Sequence, residues 1–109
     1  MTREAKKQIK VIVAKLAEEL KPKAIYLFGS YARGDNNETS DYDFYIVMPG
    51  KKRVSANLHA KAYSCLHGLK RRPIDIIVNN EATFVERSGW LNALEKTILE
   101  EGIKLYEKN

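Results

Sequence analysis

"LFGSYARGDNNETSDYDFYIV", Leu27–Val47, is the stretch from which the fold can be read. An apolar run stops at Gly29-Ser30, a polar loop follows, and Asp41 and Asp43 open the next apolar run with one residue between them. In a β-strand, side chains at i and i+2 share a face. Asp41, Asp43, Tyr45 and Val47 therefore look one way, and Tyr42, Phe44, Ile46 and Met48 look the other. The second set is the natural core face. The aspartates fall roughly 6.6 Å apart along the strand. Facing inward without a partner, they are costly to bury. A hard, oxygen-seeking cation such as magnesium removes that cost and keeps positions free for water or phosphate. Taken alone, a pair of strand-end charges open to water is the default reading.

Two further features bear on the choice. Asp75 interrupts "PIDIIV", Pro73–Val78, where an acidic residue is out of place. It is either an isolated edge charge or the third carboxylate that a two-metal phosphoryl-transfer site needs, with its ions about 3.5–4 Å apart. "GSYARG", Gly29–Gly34, suits phosphate. Gly29 lets backbone approach a ligand closely, Ser30 offers a hydroxyl, the turn offers N–H groups and Arg33 a guanidinium. A plain glycine turn is the alternative. Gly29 and Gly34 have the spacing that opens a Walker phosphate loop, but Asp35-Asn36 stand where Lys and Ser or Thr belong. The loop also lacks the glycine and terminal glutamate of a calcium-binding EF-hand.

Outward from this stretch, Ile9, Ile12, Val13, Leu16 and Leu20 recur at helical spacing over residues 4–20, and Lys21-Pro22 ends that helix. "AIYLF", Ala24–Phe28, predicts a buried strand. "GSYARG" turns the chain into a short helix, "DNNETS" is a loop, and Asp41–Met48 is a strand ended by Pro49-Gly50. Val54, Leu58, Ala62, Cys65 and Leu69 mark a second long helix, and Pro73–Val78 a further strand with a turn at Asn79-Asn80. A short helix is expected over Ala82–Arg87, then one with Leu91, Leu94 and Ile98 on one face and Gly102 as its C-terminal cap. "IKLY", Ile103–Tyr106, alternates as a closing edge strand. The order α-β-β-α-β-α-β predicts an α+β domain: a small mixed sheet packed by helices, spanning residues 1–109 as one unit.

Composition narrows the class without naming it. With 109 residues, 44% hydrophobic and 30% charged, the chain has the make-up of one ordinary globular domain. No apolar run approaches the roughly 20 residues of a membrane helix. "MTREAKKQIK" has no signal-peptide character, so a cytoplasmic protein without membrane association is expected. The single cysteine, Cys65, forms no internal disulfide and reads as a buried, inert thiol; His59 and His67 read as ordinary surface or boundary residues. A net charge of +5 favours an anionic partner without choosing one. The clusters Lys51–Arg53 and Lys70–Arg72 flank one helix, and solvated helix ends are their default explanation; direct nucleic-acid binding is not expected.

Gly29-Ser30, ten residues, Asp41-x-Asp43, then Asp75 in a later strand: together these resemble the nucleotidyltransferase superfamily that includes DNA polymerase beta. The likeness is greatest to the minimal nucleotidyltransferases, antitoxins of HEPN–MNT toxin–antitoxin pairs. Arg33-Gly34 match the usual Ala-Arg-Gly extension, and Tyr42 departs from the small aliphatic residue more usual there. The resemblance covers nearly the whole chain. It implies that Asp41, Asp43 and Asp75 bind magnesium, as two ions, with Asp75 helping to activate the attacking hydroxyl. It also implies that Gly29 and Ser30, with Arg33, hold the triphosphate of ATP. The implied activity is transfer of AMP from ATP to a tyrosine hydroxyl of a cognate HEPN toxin, in a hetero-oligomer with that toxin. With no residues to spare for an acceptor-gripping domain, the acceptor is expected to dock from outside. Two alternatives stay open: a toxin-binding antitoxin that does not use catalysis, and a nucleotidyltransferase acting on RNA or a small molecule.

Overall fold

The computed structural model describes residues 1–69 and 72–109. Helix α1, Arg3–Leu20, begins where the Thr2 hydroxyl accepts the Ala5 N–H at 3.0 Å. It ends at Lys21, which turns left-handed at φ 51° and donates its N–H to the Ala17 carbonyl; Pro22, which has no N–H to give, follows. Ile9, Ile12, Val13, Leu16 and Leu20 are all buried, as their spacing predicts.

Strand β1, Ala24–Phe28, leads through the four-residue helix α2, Ser30–Arg33, and a loop to β2, Tyr42–Met48. Helix α3, Ala56–Ser64, crosses over to β3, Ile74–Asn80. Helices α4, Glu81–Arg87, and α5, Leu94–Glu101, precede the last strand, β4, Ile103–Glu107. The sheet order is β3-β2-β1-β4. β1 runs antiparallel to β2 and β4, while β2 and β3 are parallel. The mixed sheet and the closing edge strand are those the sequence predicts. A parallel pair needs a crossover connection, and α3 supplies it.

The core differs from the expectation in one respect. One face of the sheet does carry Ile25, Leu27, Tyr42, Phe44 and Ile46 against α1 and α3. The opposite face is also closed: Tyr45 and Val47 are 0% and 3% exposed, packed with Tyr26, Phe84 and Ile98 beneath α4 and α5. The face that Asp43 shares with Tyr45 and Val47 is thus a second core, and toward the starts of β2 and β3 Asp43 is half-buried and Asp75 exposed.

Smaller corrections have local causes. α3 stops at Ser64, and the chain continues in tight turns in which the N–H groups of Leu66, His67 and Leu69 reach back three residues; Leu66 is buried there, while Leu69 is exposed. Cys65 is half-buried, and burial pushes its thiol up, as an inert thiol requires. Asn79 and Asn80 extend β3 rather than forming a turn, and the Asn80 side chain caps α4 by accepting from Thr83 N–H at 2.7 Å. α5 begins only at Leu94, after turns that include Asn92 at φ 67°, so Leu91 is 85% exposed and off the buried face. Gly102 does cap α5, in an extended rather than left-handed conformation. Asp41 lies just ahead of β2, outside the strand. Of the cluster Lys70–Arg72, Lys70 and Arg71 lie outside the described residues, and Arg72 is half-buried rather than a solvated end.

Candidate active site

Three adjacent strands bring the site residues together. Phe28 on β1 pairs with Asp43 on β2, and Asp43 pairs with Asp75 on β3. Because β2 and β3 are parallel and in this register, both aspartates project from the same face, one strand spacing apart. Asp41 stands immediately before β2. Asp43 and Asp75 therefore sit side by side at one end of the sheet, with Asp41 near enough for its charge to act on Asp43.

Their mutual influence is visible in Asp43. Burial, then the negative charges of Asp75 and Asp41 together with a hydrogen bond to Asp75, push its carboxyl up to about 6, with Arg33 pulling weakly the other way. Asp43 is thus held in a cluster that resists a third negative charge and favours a proton or a cation.

Gly29 is fitted to that carboxylate. Its φ of 74° and ψ of −154° belong to a region open in practice only to glycine. A Cβ at this position would lie 3.1 Å from Cγ of Asp43 and collide with its Oδ2. Ser30 follows as the first residue of α2, and its carbonyl accepts the N–H groups of Gly34 and Asp35 at 2.9 and 3.1 Å. Tyr31 anchors this turn in the core, edge-on to Tyr42 at 4.8 Å between centroids. Gly29, Ala32 and Arg33 line a cleft of about 230 Å³ with Phe28, Leu94 and Thr97. Arg33 itself is turned to Asp35, with Nε 3.1 Å from Oδ2, and both side chains are exposed. Its guanidinium lies on the rim of the cleft, paired with Asp35 rather than aimed at the aspartates.

Among the described residues, no three His, Cys, Asp or Glu side chains stand close enough to grip an ion by themselves. The donor chemistry nevertheless suits magnesium. Asp41, Asp43 and Asp75 offer carboxylate oxygens only, and magnesium is commonly held by one or two carboxylates plus substrate phosphate and water. An ion arriving with a nucleotide needs no preformed protein cage.

Two supporting groups escape the sequence reading. The Tyr45 hydroxyl donates to Glu95 Oε2 at 2.7 Å, and Arg87 Nε donates to Glu95 Oε1 at 2.9 Å. Burial pushes Glu95 up, but these hydrogen bonds outweigh it and hold the carboxyl below its ordinary value. This network ties β2, two residues past Asp43, to α4 and α5. The available signal was the i, i+3 spacing of Glu95 and Ile98, which puts the acid on the buried face of α5. The second group is Arg72, which binds the loop before Asp41; its place directly ahead of the Asp75 strand was the clue.

Comparison with known proteins gives the family and the fold. The nucleotidyltransferase-domain family profile matches residues 7–105. A protein of Methanocaldococcus jannaschii, named as a protein adenylyltransferase, is 38% identical over 84 residues, covering 77% of this chain and 78% of that protein. A solved structure from Sulfolobus solfataricus, described as a nucleotidyltransferase, superposes with a TM-score of 0.61 at 26% identity, over 94% of this chain and 79% of that one. A chain of a toxin–antitoxin structure determined with AMP-PNP shares the fold, with a TM-score of 0.61 at 20% identity over 92% of this chain and 74% of that one. Strand register, glycine turn and sequence relatives lead to one assignment: this chain belongs to the nucleotidyltransferase-domain family and is a nucleotidyltransferase.

Proposed function

We propose that this nucleotidyltransferase is the antitoxin of a toxin–antitoxin pair and transfers AMP from ATP to a tyrosine hydroxyl of a cognate HEPN toxin, with magnesium as cofactor. The observation that carries the reading is the register pair Asp43–Asp75 set beside Gly29, whose missing Cβ leaves room for the Asp43 carboxylate. The protein adenylyltransferase name of the M. jannaschii relative supports a protein acceptor, and the shared fold of the toxin–antitoxin chain supports a toxin as that acceptor.

In this reading Gly29 lets the triphosphate approach the backbone, and Ser30 donates its hydroxyl to a phosphate oxygen. Asp41, Asp43 and Asp75 would hold magnesium, which, when bound, offsets phosphate charge and makes an acceptor hydroxyl more acidic. A free tyrosine hydroxyl has a pKa of about 10 and is a weak nucleophile at neutral pH. In this reading Asp75, exposed at the sheet end, takes its proton. The tyrosine oxygen bonds to the α-phosphorus, the bond from that phosphorus to the bridging oxygen breaks, and pyrophosphate leaves with the bonding electrons. Asp43 and Asp75 stand at an open end of the sheet, and in this reading the partner presents its own tyrosine there. The new phosphodiester adds a negative charge to the toxin and would repel RNA from a basic cleft.

Intact mass spectrometry of the co-expressed toxin tests the reading. One or more AMP additions are expected with the wild-type chain and none with Asp41→Ala or Asp43→Ala. Neutralisation without any mass change, retained by both variants, would instead establish an antitoxin that acts by binding alone.

A further inference from the structure

We infer that Arg72 is a positioning residue for this site: its guanidinium holds Asp41 in place by tying the loop ahead of it to the segments that carry Ser30, Asp43 and Asp75. Arg72 Nη1 donates to the carbonyl oxygens of Glu38 and Ser40, at 2.9 and 3.2 Å. The second of these carbonyls belongs to the residue directly before Asp41. The guanidinium carbon lies 5.7 Å from the ring centroid of Tyr31 and 5.8 Å from that of Tyr42. Tyr31 follows Ser30 in α2, and Tyr42 separates Asp41 from Asp43. One side chain therefore touches every segment that bears a candidate site residue, and it leaves the backbone three positions before Asp75.

Asp41 needs such a device. Its neighbours Asp43 and Asp75 are fixed by sheet register, which begins at Tyr42 with Ile74 and does not include Asp41. The loop has internal order: the Asn37 side chain accepts the Thr39 N–H at 2.8 Å, and the Ser40 hydroxyl accepts the Asn37 N–H at 2.9 Å. Those bonds hold the turn to itself and leave its placement on the molecule open. Among the described residues, the hydrogen bonds that connect residues 36–40 to the rest of the protein are the two from Arg72. The Tyr42 N–H, bonded to the Pro73 carbonyl at 3.1 Å, then pins the point where the loop enters β2. Arginine suits the task because one guanidinium donates to two carbonyls while its delocalised charge lies near two aromatic rings; a lysine ammonium does only part of this.

The consequence for nucleotide binding rests on the proposed function, whereas the tether does not, and the test separates them. Backbone amide exchange and calorimetric binding of magnesium–ATP are measured for the wild type, Arg72→Ala, Asp41→Asn and the double variant. Arg72→Ala is expected to speed exchange across residues 36–41 about tenfold, leaving Phe44–Val47 unchanged, and to weaken magnesium–ATP binding about tenfold. In the Asp41→Asn background the same change is expected to weaken binding less than twofold, because Arg72 acts through Asp41. Arg72→Lys, which keeps a charge over the rings, is expected to fall between, and carries the same comparison if the alanine variant does not fold. Losses that simply add, or exchange at 36–41 that ignores Arg72, would overturn the inference. A wild type that binds no magnesium–ATP while its loop still responds to Arg72 would support the tether and defeat the metal reading alone.

Discussion

Gly29 and Asp43 compete for one volume: a Cβ at position 29 would fall on the Asp43 carboxylate, 3.1 Å from its Cγ. The glycine also holds φ at 74°, where an added side chain is strained whatever the space around it. Gly29→Ala is therefore expected to displace the carboxylate and destabilise the fold by about 1–3 kcal/mol. AMP transfer should fall more than a hundredfold in protein that remains folded. Gly34→Ala is the control, since its φ of 84° is strained but its Cβ meets open space. It should cost similar stability and leave most of the transfer rate. Equal losses of transfer from both variants would show that backbone strain, not the clash with Asp43, matters.

The Asp43 charge should make the metal-free protein less stable as pH rises. Burial first, then Asp75 and Asp41, raise its folded value from 3.8 to about 6. Between those values the folded chain keeps a proton that the unfolded chain has released. The stabilisation is thus fully present below about pH 4 and lost as pH rises through about 6. Asp43→Asn should raise the melting temperature at pH 7.5 in chelator, by about 1 kcal/mol of stability after solvent screening. It should change little at pH 4, and abolish transfer where the enzyme works. A stabilisation independent of pH would rule out the charge as its source.

ATP binding should depend on a divalent ion. Asp41, Asp43 and Asp75 present a carboxylate cluster that repels triphosphate unless a cation intervenes. Calorimetry with ATP should show binding in magnesium and at least tenfold weaker binding in chelator. Equal affinity in both would remove the metal assignment. Ser30→Ala should weaken binding only mildly, because backbone donors remain.

The buried Glu95 should support the site mainly by stability. Glu95→Ala leaves the Tyr45 hydroxyl, in the second core, without its acceptor at 2.7 Å. An unfolding cost of about 2 kcal/mol is expected by chemical denaturation, and about 1 kcal/mol for Tyr45→Phe, which leaves the Arg87 bond to Glu95 intact. If Tyr45→Phe cost more than Glu95→Ala, Glu95 would not be the centre of the network.

Much of this molecule is written in short-range pattern. The stripe from Ile9 to Leu20 specifies α1, and the runs Ala24–Phe28, Asp41–Met48 and Pro73–Val78 specify three strands to within a few residues. The Gly29-Ser30 turn and the spacing to Asp41 and Asp43 are local as well, which is why those residues could be singled out. Such features depend on a few neighbouring residues, whose geometry repeats at 3.6 or 2 positions.

What the tertiary structure decided depends on partners far along the chain. The alternation of β2 defines two faces but does not say that both are covered; α4 and α5 close the one that carries Tyr45, leaving Asp43 at its open end. The match of Asp43 with Asp75 is a register between parallel strands joined by a crossover helix, and no local periodicity sets it. Arg72 read as part of a charged helix end until the fold laid Tyr31, Tyr42 and the Ser40 carbonyl around it. Burial and charge proximity are properties of that three-dimensional arrangement, so the raised Asp43 carboxyl and the held-down Glu95 carboxyl arise only once the sheet and its two helical layers are assembled.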